Sequence, residues 1–210
     1  MASSICIRGV TIFQPLLSED EQHRIVEDIR KVASVAPFYS PVTPSGKRMS
    51  VRMTSAGQLG WLTDRQGYRY AGRHPSDRPW PPIPDSVLAV WHLVSECRRE
   101  PDSCLINHYA EGARMGMHRD ADEAELDWPV VSISLGDDAL FRIGNTTRGG
   151  KTESVWLRSG DVAVLKDESR LVHHGIDRIK PGTSTLLARG GRLNLTLRIA
   201  GQTREDPASG

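Results

Sequence analysis

The sequence predicts an α+β chain that is mostly β, in which two antiparallel sheets form a jelly-roll sandwich with helices packed outside it. Three observations predict this class. Helical periodicity is confined to two stretches in the first half of the chain. From about residue 104 onward the pattern changes to short apolar or alternating runs. Those runs are separated by turn signals such as Glu111-Gly112, Gly149-Gly150, Ser159-Gly160-Asp161, Pro181-Gly182 and Gly190-Gly191. With 210 residues, 38% hydrophobic and 25% charged, the chain is long enough to bury one sizeable core, and residues 1–210 are read as a single domain.

The elements follow in order. Ser18 stands three residues before Glu21, the spacing of a capping box, and Ile25, Ile29 and Val32 then recur at helical period. A second helix follows Pro84-Asp85, with Asp85 as its N-cap and Val87, Val90, Trp91, Val94 and Cys97 on one face. Between the helices, residues 41–84 read as a basic, aromatic lid or hairpin insertion. Over 41–80 seven Lys and Arg side chains meet two Asp, a net of +5, alongside Trp61, Tyr68, Tyr70 and Trp80. Prolines 75, 79, 81, 82 and 84 exclude regular helix from its closing segment. The jelly-roll core is read over 104–201, with strands in CLINHY, VVSISL, SVWL, DVAVL and RLNLTLRI.

Composition excludes several classes of function. Twenty-seven Lys and Arg against 26 Asp and Glu leave a net charge of +1, which excludes a polybasic tail but not a local basic stripe. No apolar run approaches the roughly 18 residues of a membrane span, and Arg8 inside MASSICIRGVTIF makes a poor signal peptide. Cys6, Cys97 and Cys104 have no CxxC spacing, which fits a reducing cytoplasm; Cys97 and Cys104 read as core residues. His23, His74, His92 and His108 read as surface or partly buried histidines. The acid-rich window 101–140 reads mostly as solvated loop, an unfavourable surface for phosphate; if nucleic acid binds, the lid should carry the backbone contacts.

Two local patterns carry chemistry. Residues 192–199 alternate strictly: Arg192, Asn194, Thr196 and Arg198 share one face, and Leu193, Leu195, Leu197 and Ile199 the other. If the polar face points into the sandwich, each guanidinium needs a protein carboxylate or a bound acid; the alternative is an edge strand with two solvated arginines. His118 and Asp120 form an HxD pair able to share one ion, and a second histidine follows in SRLVHHGI. Two imidazoles and one carboxylate leave the remaining corners of an octahedral ion open, the arrangement suited to non-haem Fe(II). His173 and His174 are adjacent, so on a strand only one of them can be that ligand.

The order of HxD, distal His and R-x-N-x-T-x-R, together with LGWLTDRQGYRY, RPWPPIP, LINHYAEGA, HRDADE, VSISLG, GDVAVL, ESRLVHHGI and RLNLTLR, resembles the AlkB family of Fe(II)/2-oxoglutarate-dependent nucleic-acid dealkylating dioxygenases. The resemblance covers the chain from the basic window to residue 201. It implies a double-stranded β-helix core with a nucleotide-recognition lid, and His118, Asp120 and His174 as iron ligands. It implies that Arg198, helped by Tyr109, meets the distal carboxylate of 2-oxoglutarate, with Arg192, Asn194 and Asn107 near its iron-bound end. Trp61 with the ring of His118 would sandwich a flipped base, Tyr68 and Tyr70 would sit at the phosphates, Asp122 would accept from the base's exocyclic amine, and Arg148 would lie beside the substrate. A purely structural Trp61 is the alternative. His108 and Leu165 depart from the family pattern, where Arg and Trp are expected.

The implied activity is oxidative demethylation of 1-methyladenine- and 3-methylcytosine-type lesions in DNA and possibly RNA, single-stranded or with a flipped base. Fe(II), 2-oxoglutarate and O2 take part, 2-oxoglutarate is decarboxylated, and formaldehyde is released. A cytoplasmic monomer is expected, without membrane contact. Two rival readings are an Fe(II)/2-oxoglutarate dioxygenase acting on a small molecule or protein, and a non-catalytic jelly-roll binding module.

Overall fold

In the computed structural model, which describes residues 3–201, a large antiparallel sheet faces a smaller one across a cavity, and two helices cover the large sheet's outer face. The chain opens with a hairpin, β1 (Ser3–Ile7) and β2 (Val10–Gln14). Arg8 and Gly9 form its two-residue turn with φ of 51° and 81°, the left-handed pair that matches strand twist. The sequence does not announce this hairpin, because β1 is mostly exposed and shows no alternation of buried and open positions.

Helix α1 (Glu19–Val35) starts at the expected box: the Ser18 hydroxyl accepts from the Glu21 backbone, and the Glu21 carboxylate accepts from Ser18 N–H at 2.8 Å. Its Ile25, Ile29 and Val32 are buried. Helix α2 (Asp85–Val94) begins one residue earlier than expected. Pro84, not Asp85, is the N-cap, because its ring-locked φ of −62° with ψ of 143° already has the extended capping geometry, and Asp85 becomes the first helical residue. Cys97 is not on the helix: Ser95 closes it and Glu96 takes a left-handed φ of 55°.

The 41–84 window divides in the structure. Its middle, β3 (Arg52–Gly57), pairs with β6 (Ser103–Tyr109) and forms the last strand of the large sheet. Only β4 (Gly60–Asp64) and β5 (Gly67–Ala71) make a separate hairpin. Trp80 braces its base, donating to Ala71 O at 2.8 Å; a Cβ on Gly60 would stand 2.3 Å from the Trp80 ring, so glycine is required there. The segment 72–84 has no helix, as its prolines dictate.

The remaining strands are β7 (Met115–His118), β8 (Val130–Gly136), β9 (Asp138–Ile143), β10 (Glu153–Leu157), β11 (Val162–Leu165), β12 (His174–Lys180) and β13 (Arg192–Arg198). The large sheet runs β1-β2-β11-β8-β13-β6-β3 and the small one β10-β9-β12-β7. All their pairings are antiparallel, the jelly-roll arrangement. Strand β13 is thus interior to the sheet, which removes the edge-strand alternative. Leu193, Leu195 and Leu197 pack with α1 and α2 in one core, while Leu105, Tyr109, Phe141, Ile143 and Ile176 make a second core between the sheets. Among the described residues no helix is long and apolar enough to cross a membrane.

Candidate active site

The site lies between the sheets, in a cavity of about 280 Å³. Two strand ends build its metal-ligating corner. His118 closes β7 and His174 opens β12, and they face each other as cross-strand partners. Gly175 makes this approach possible, since a Cβ there would lie 2.6 Å from Met115 O and 2.8 Å from Gly116 O. Asp120 follows two residues beyond His118, past the strand end. Its carboxylate stands 3.8 Å from His118 Nε2 and 3.7 Å from His174 Nε2, and one ligand atom from each of the three residues lies within 4.8 Å of the others. This selects His174 over His173, whose Nδ1 donates to Asn145 O at 3.0 Å.

The donor set fits a divalent transition metal. His118 Nδ1 donates to Gly116 O at 2.9 Å and His174 Nδ1 to Val172 O at 3.1 Å, because a carbonyl can only accept. Each ring therefore presents a free Nε2 lone pair to the corner. Burial first, and then His118, push His174 down to about 4, keeping it neutral and able to ligate at neutral pH. Burial alone would raise the Asp120 carboxyl, but Arg198 and the two histidines reverse that and hold it well below the usual range. Its Oδ2 is buried without a hydrogen-bond partner, an acceptor left for an ion.

The two arginines of β13 are buried, at 1% exposure for Arg192 and 5% for Arg198, and their surroundings reverse the expected division of labour. Arg198 stands at the metal end. Its Nη2 donates to Asp120 Oδ1 at 2.7 Å and its Nε lies 3.2 Å from Glu123 Oε1, so protein carboxylates already meet its charge. Arg192, about 20 Å away along the strand, has one hydrogen bond, from Nη2 to Ser134 Oγ at 3.0 Å, and its Nε and Nη1 have no partner. Burial pushes it down to about 10. It is opposite Tyr109, just as Asn194 is opposite Asn107, whose buried Oδ1 also has no partner. A buried guanidinium without a carboxylate is costly unless a ligand supplies one; the orphaned donors therefore fit the far end of a diacid.

The hairpin covers the cavity mouth. Trp61 Nε1 donates to Asp122 Oδ2 at 2.8 Å, and Trp61 stacks on Tyr68 with ring centres 5.5 Å apart and planes 20° apart. Trp61 is half-buried, lines the cavity and also packs against the core between the sheets. The His118 ring meets that of His174, at 4.6 Å between centres. Tyr68 is 54% exposed. Tyr70 is not: its hydroxyl turns inward, donating to Glu123 Oε1 at 2.8 Å and accepting from Arg198 Nη1 at 3.3 Å. Arg148 sits exposed between β9 and β10 and is not among the residues lining the cavity. His108 is partly buried on β6, and Leu165 lines the cavity wall.

Three functional groups escaped sequence reasoning. Glu123 and Asp137 lie in the acid-rich window read as solvated, yet both are buried. Asp137 accepts from the N–H groups of Thr183, Ser184 and Gly191, fixing the residue before Arg192. Arg170 holds the Asp120 carbonyl from Nη1 at 2.7 Å. Arg170 and Glu123 did carry a signal, as charged members of the quoted ESRLVHHGI and HRDADE segments; Asp137 carried none.

This fold and site define an Fe(II)/2-oxoglutarate-dependent dioxygenase: residues 9–198 match the 2OG-Fe(II) oxygenase superfamily. The chain is 49% identical over 195 residues to the "Alpha-ketoglutarate-dependent dioxygenase AlkB homolog" of Caulobacter vibrioides, covering 92% of this chain and 89% of that protein. It belongs to the AlkB family within that superfamily. It is 32% identical to the "DNA N(6)-methyladenine demethylase ALKBH1D" of Arabidopsis thaliana, over 90% of this chain and 49% of that one. It superposes with TM-score 0.76 and 30% identity on "The structure of OsALKBH1", covering 93% of this chain and 99% of the other.

Proposed function

We propose that the chain removes methyl groups from ring nitrogens of nucleobases, of the 1-methyladenine and 3-methylcytosine type, in DNA and in RNA. The observation that carries this reading is a single cavity with three complementary parts: an open metal corner, an orphaned guanidinium, and an aromatic hairpin over the mouth. His118, Asp120 and His174 hold Fe(II). Arg192, with Tyr109 and Asn107, holds the distal carboxylate of 2-oxoglutarate; Asn194 lines the wall beside it, and Arg198 steadies the metal end. When bound, iron with 2-oxoglutarate and O2 supplies the oxidising power that hydroxylates the methyl carbon, yielding succinate and CO2. The N–CH2OH product then loses its hydroxyl proton as the C–N bond breaks, giving formaldehyde and the N–H base.

The chain's own residues select the substrate. Trp61 gives a flipped base a face to stack on, worth about 1–3 kcal/mol. Asp122, already oriented by Trp61, has a second carboxylate oxygen for an exocyclic amine. Tyr68 and the lid cations meet the phosphates, with Arg148 at the periphery. A single-stranded or unpaired base reaches this cavity at the least cost. The protein works as a monomer in the cytoplasm, where its free cysteines stay reduced.

The test is mass spectrometry of methylated DNA and RNA oligonucleotides incubated with the protein, Fe(II), ascorbate and 2-oxoglutarate. A loss of 14 mass units, about one CH2 per lesion, with matching formaldehyde is expected, and His118→Ala or Asp120→Ala should abolish both while the fold persists. Full turnover by either variant with iron supplied would refute the metal assignment.

A further inference from the structure

We propose that Glu123 is a positioning residue that couples the β4–β5 hairpin to the metal ligand Asp120. This rests on the metal reading above and extends it to a residue outside the ligand set. Asp120 is gripped twice by arginines: Arg198 Nη2 donates to its Oδ1 and Arg170 Nη1 to its backbone carbonyl, each at 2.7 Å. Both arginines also meet Glu123. Arg198 Nε lies 3.2 Å from Oε1, and Arg170 Nη2 lies 3.3 Å from Oε2. The Glu123 side chain is 1% exposed, so these contacts are dry. The same Oε1 accepts from Tyr70 Oη at 2.8 Å.

The hairpin therefore reaches the 120–123 segment through two hydrogen bonds of different character. Trp61 to Asp122 is exposed and open to water; Tyr70 to Glu123 is shielded. Two carboxylates and two guanidiniums balance in this box. Without the Glu123 charge, Asp120 alone would face both cations, and its remaining oxygen would become a weaker metal donor. Tyr70 would also lose the charged acceptor that fixes the hairpin. One carboxylate thus sets both the angle of the lid and the quality of the ligand beneath it, so that a closed hairpin and a well-formed metal corner favour each other.

The experiment uses the full chain, with Mn(II) as the probe, hydrogen exchange of the 60–71 amides as one readout and Mn(II) affinity as the other. Tyr70→Phe should speed exchange of those amides about tenfold, as expected on losing a hydrogen bond to a charged group, and, because lid and metal corner favour each other, weaken Mn(II) about two- to fivefold. Glu123→Gln should speed the same amides and also weaken Mn(II) about tenfold or more, while exchange in β6 and β13 stays as in the wild type. A merely structural Glu123 would instead raise exchange throughout and leave Mn(II) affinity unchanged in the folded fraction. If Glu123→Gln fails to fold, Tyr70→Phe decides. Wild-type hairpin exchange in Tyr70→Phe, or wild-type Mn(II) affinity in a folded Glu123→Gln, overturns the proposal. A wild-type chain that binds no Mn(II) overturns the metal reading beneath it as well.

Discussion

Replacing Arg192 with Met should make the ligand-free protein more stable while removing its response to 2-oxoglutarate. Burial pushes the Arg192 guanidinium well below its ordinary value, down to about 10, a penalty of about 3 kcal/mol for keeping that charge in the folded chain. Its folded value lies below the unfolded one, so the penalty is complete at neutral pH and is relieved only as pH rises above about 10. Methionine has similar reach and no charge. It forfeits the bond to Ser134 Oγ, about 1 kcal/mol. The net gain of about 2 kcal/mol corresponds to a rise in Tm of about 6 °C in a chain of this size. The assay is thermal melting with and without Mn(II) plus 2-oxoglutarate. At a hundredfold excess over Kd the wild type should gain about 2.7 kcal/mol, and the variant nothing from the diacid. A variant that melts lower than the wild type and is still stabilised by 2-oxoglutarate would refute the reasoning, because it would mean that Arg192 is satisfied within the protein.

Trp61→Ala should cut turnover of methylated oligonucleotides about tenfold or more, the equivalent of one lost stacking contact, while sparing substrate-independent 2-oxoglutarate decay; equal loss of both would make Trp61 a structural residue. Gly175→Ala should push β7 away from β12, cost about 1–3 kcal/mol and weaken Co(II) binding by at least tenfold, read by the visible Co(II) spectrum and a melting curve. Ser18→Ala should cost about 1 kcal/mol at pH 7. Hydrogen bonds from the Ser18 side chain and backbone hold the Glu21 carboxyl below its ordinary 4.5, so this contribution is present above pH 4.5 and fades as pH falls through the folded value. The gap between wild type and variant, followed by urea unfolding, should therefore narrow in acid.

Much of this site was legible because its residues obey period-two geometry. Strict alternation over 192–199 located both arginines on one face, and the adjacency of His173 and His174 limited the distal ligand to two choices. Polarity along a strand does not say which end meets the metal. That depends on how β13 sits against the segment after β7, a long-range register that put Arg198 beside Asp120 and left Arg192 without a carboxylate. The same limit explains Glu123 and Asp137. A run of acids looks solvated until arginines or backbone N–H groups from distant elements close over two of its members. Strand β3 was lost inside the basic window because its partner, β6, begins some fifty residues later in the sequence.

The position of β13 has a consequence for biogenesis. It is last among the described strands in chain order yet lies between β8 and β6. A nascent chain that has not yet released residues 192–198 from the ribosome holds two bare sheet edges and lacks both guanidiniums. The chamber therefore closes only when this ribbon inserts, and until then those edges are open to pairing with other chains.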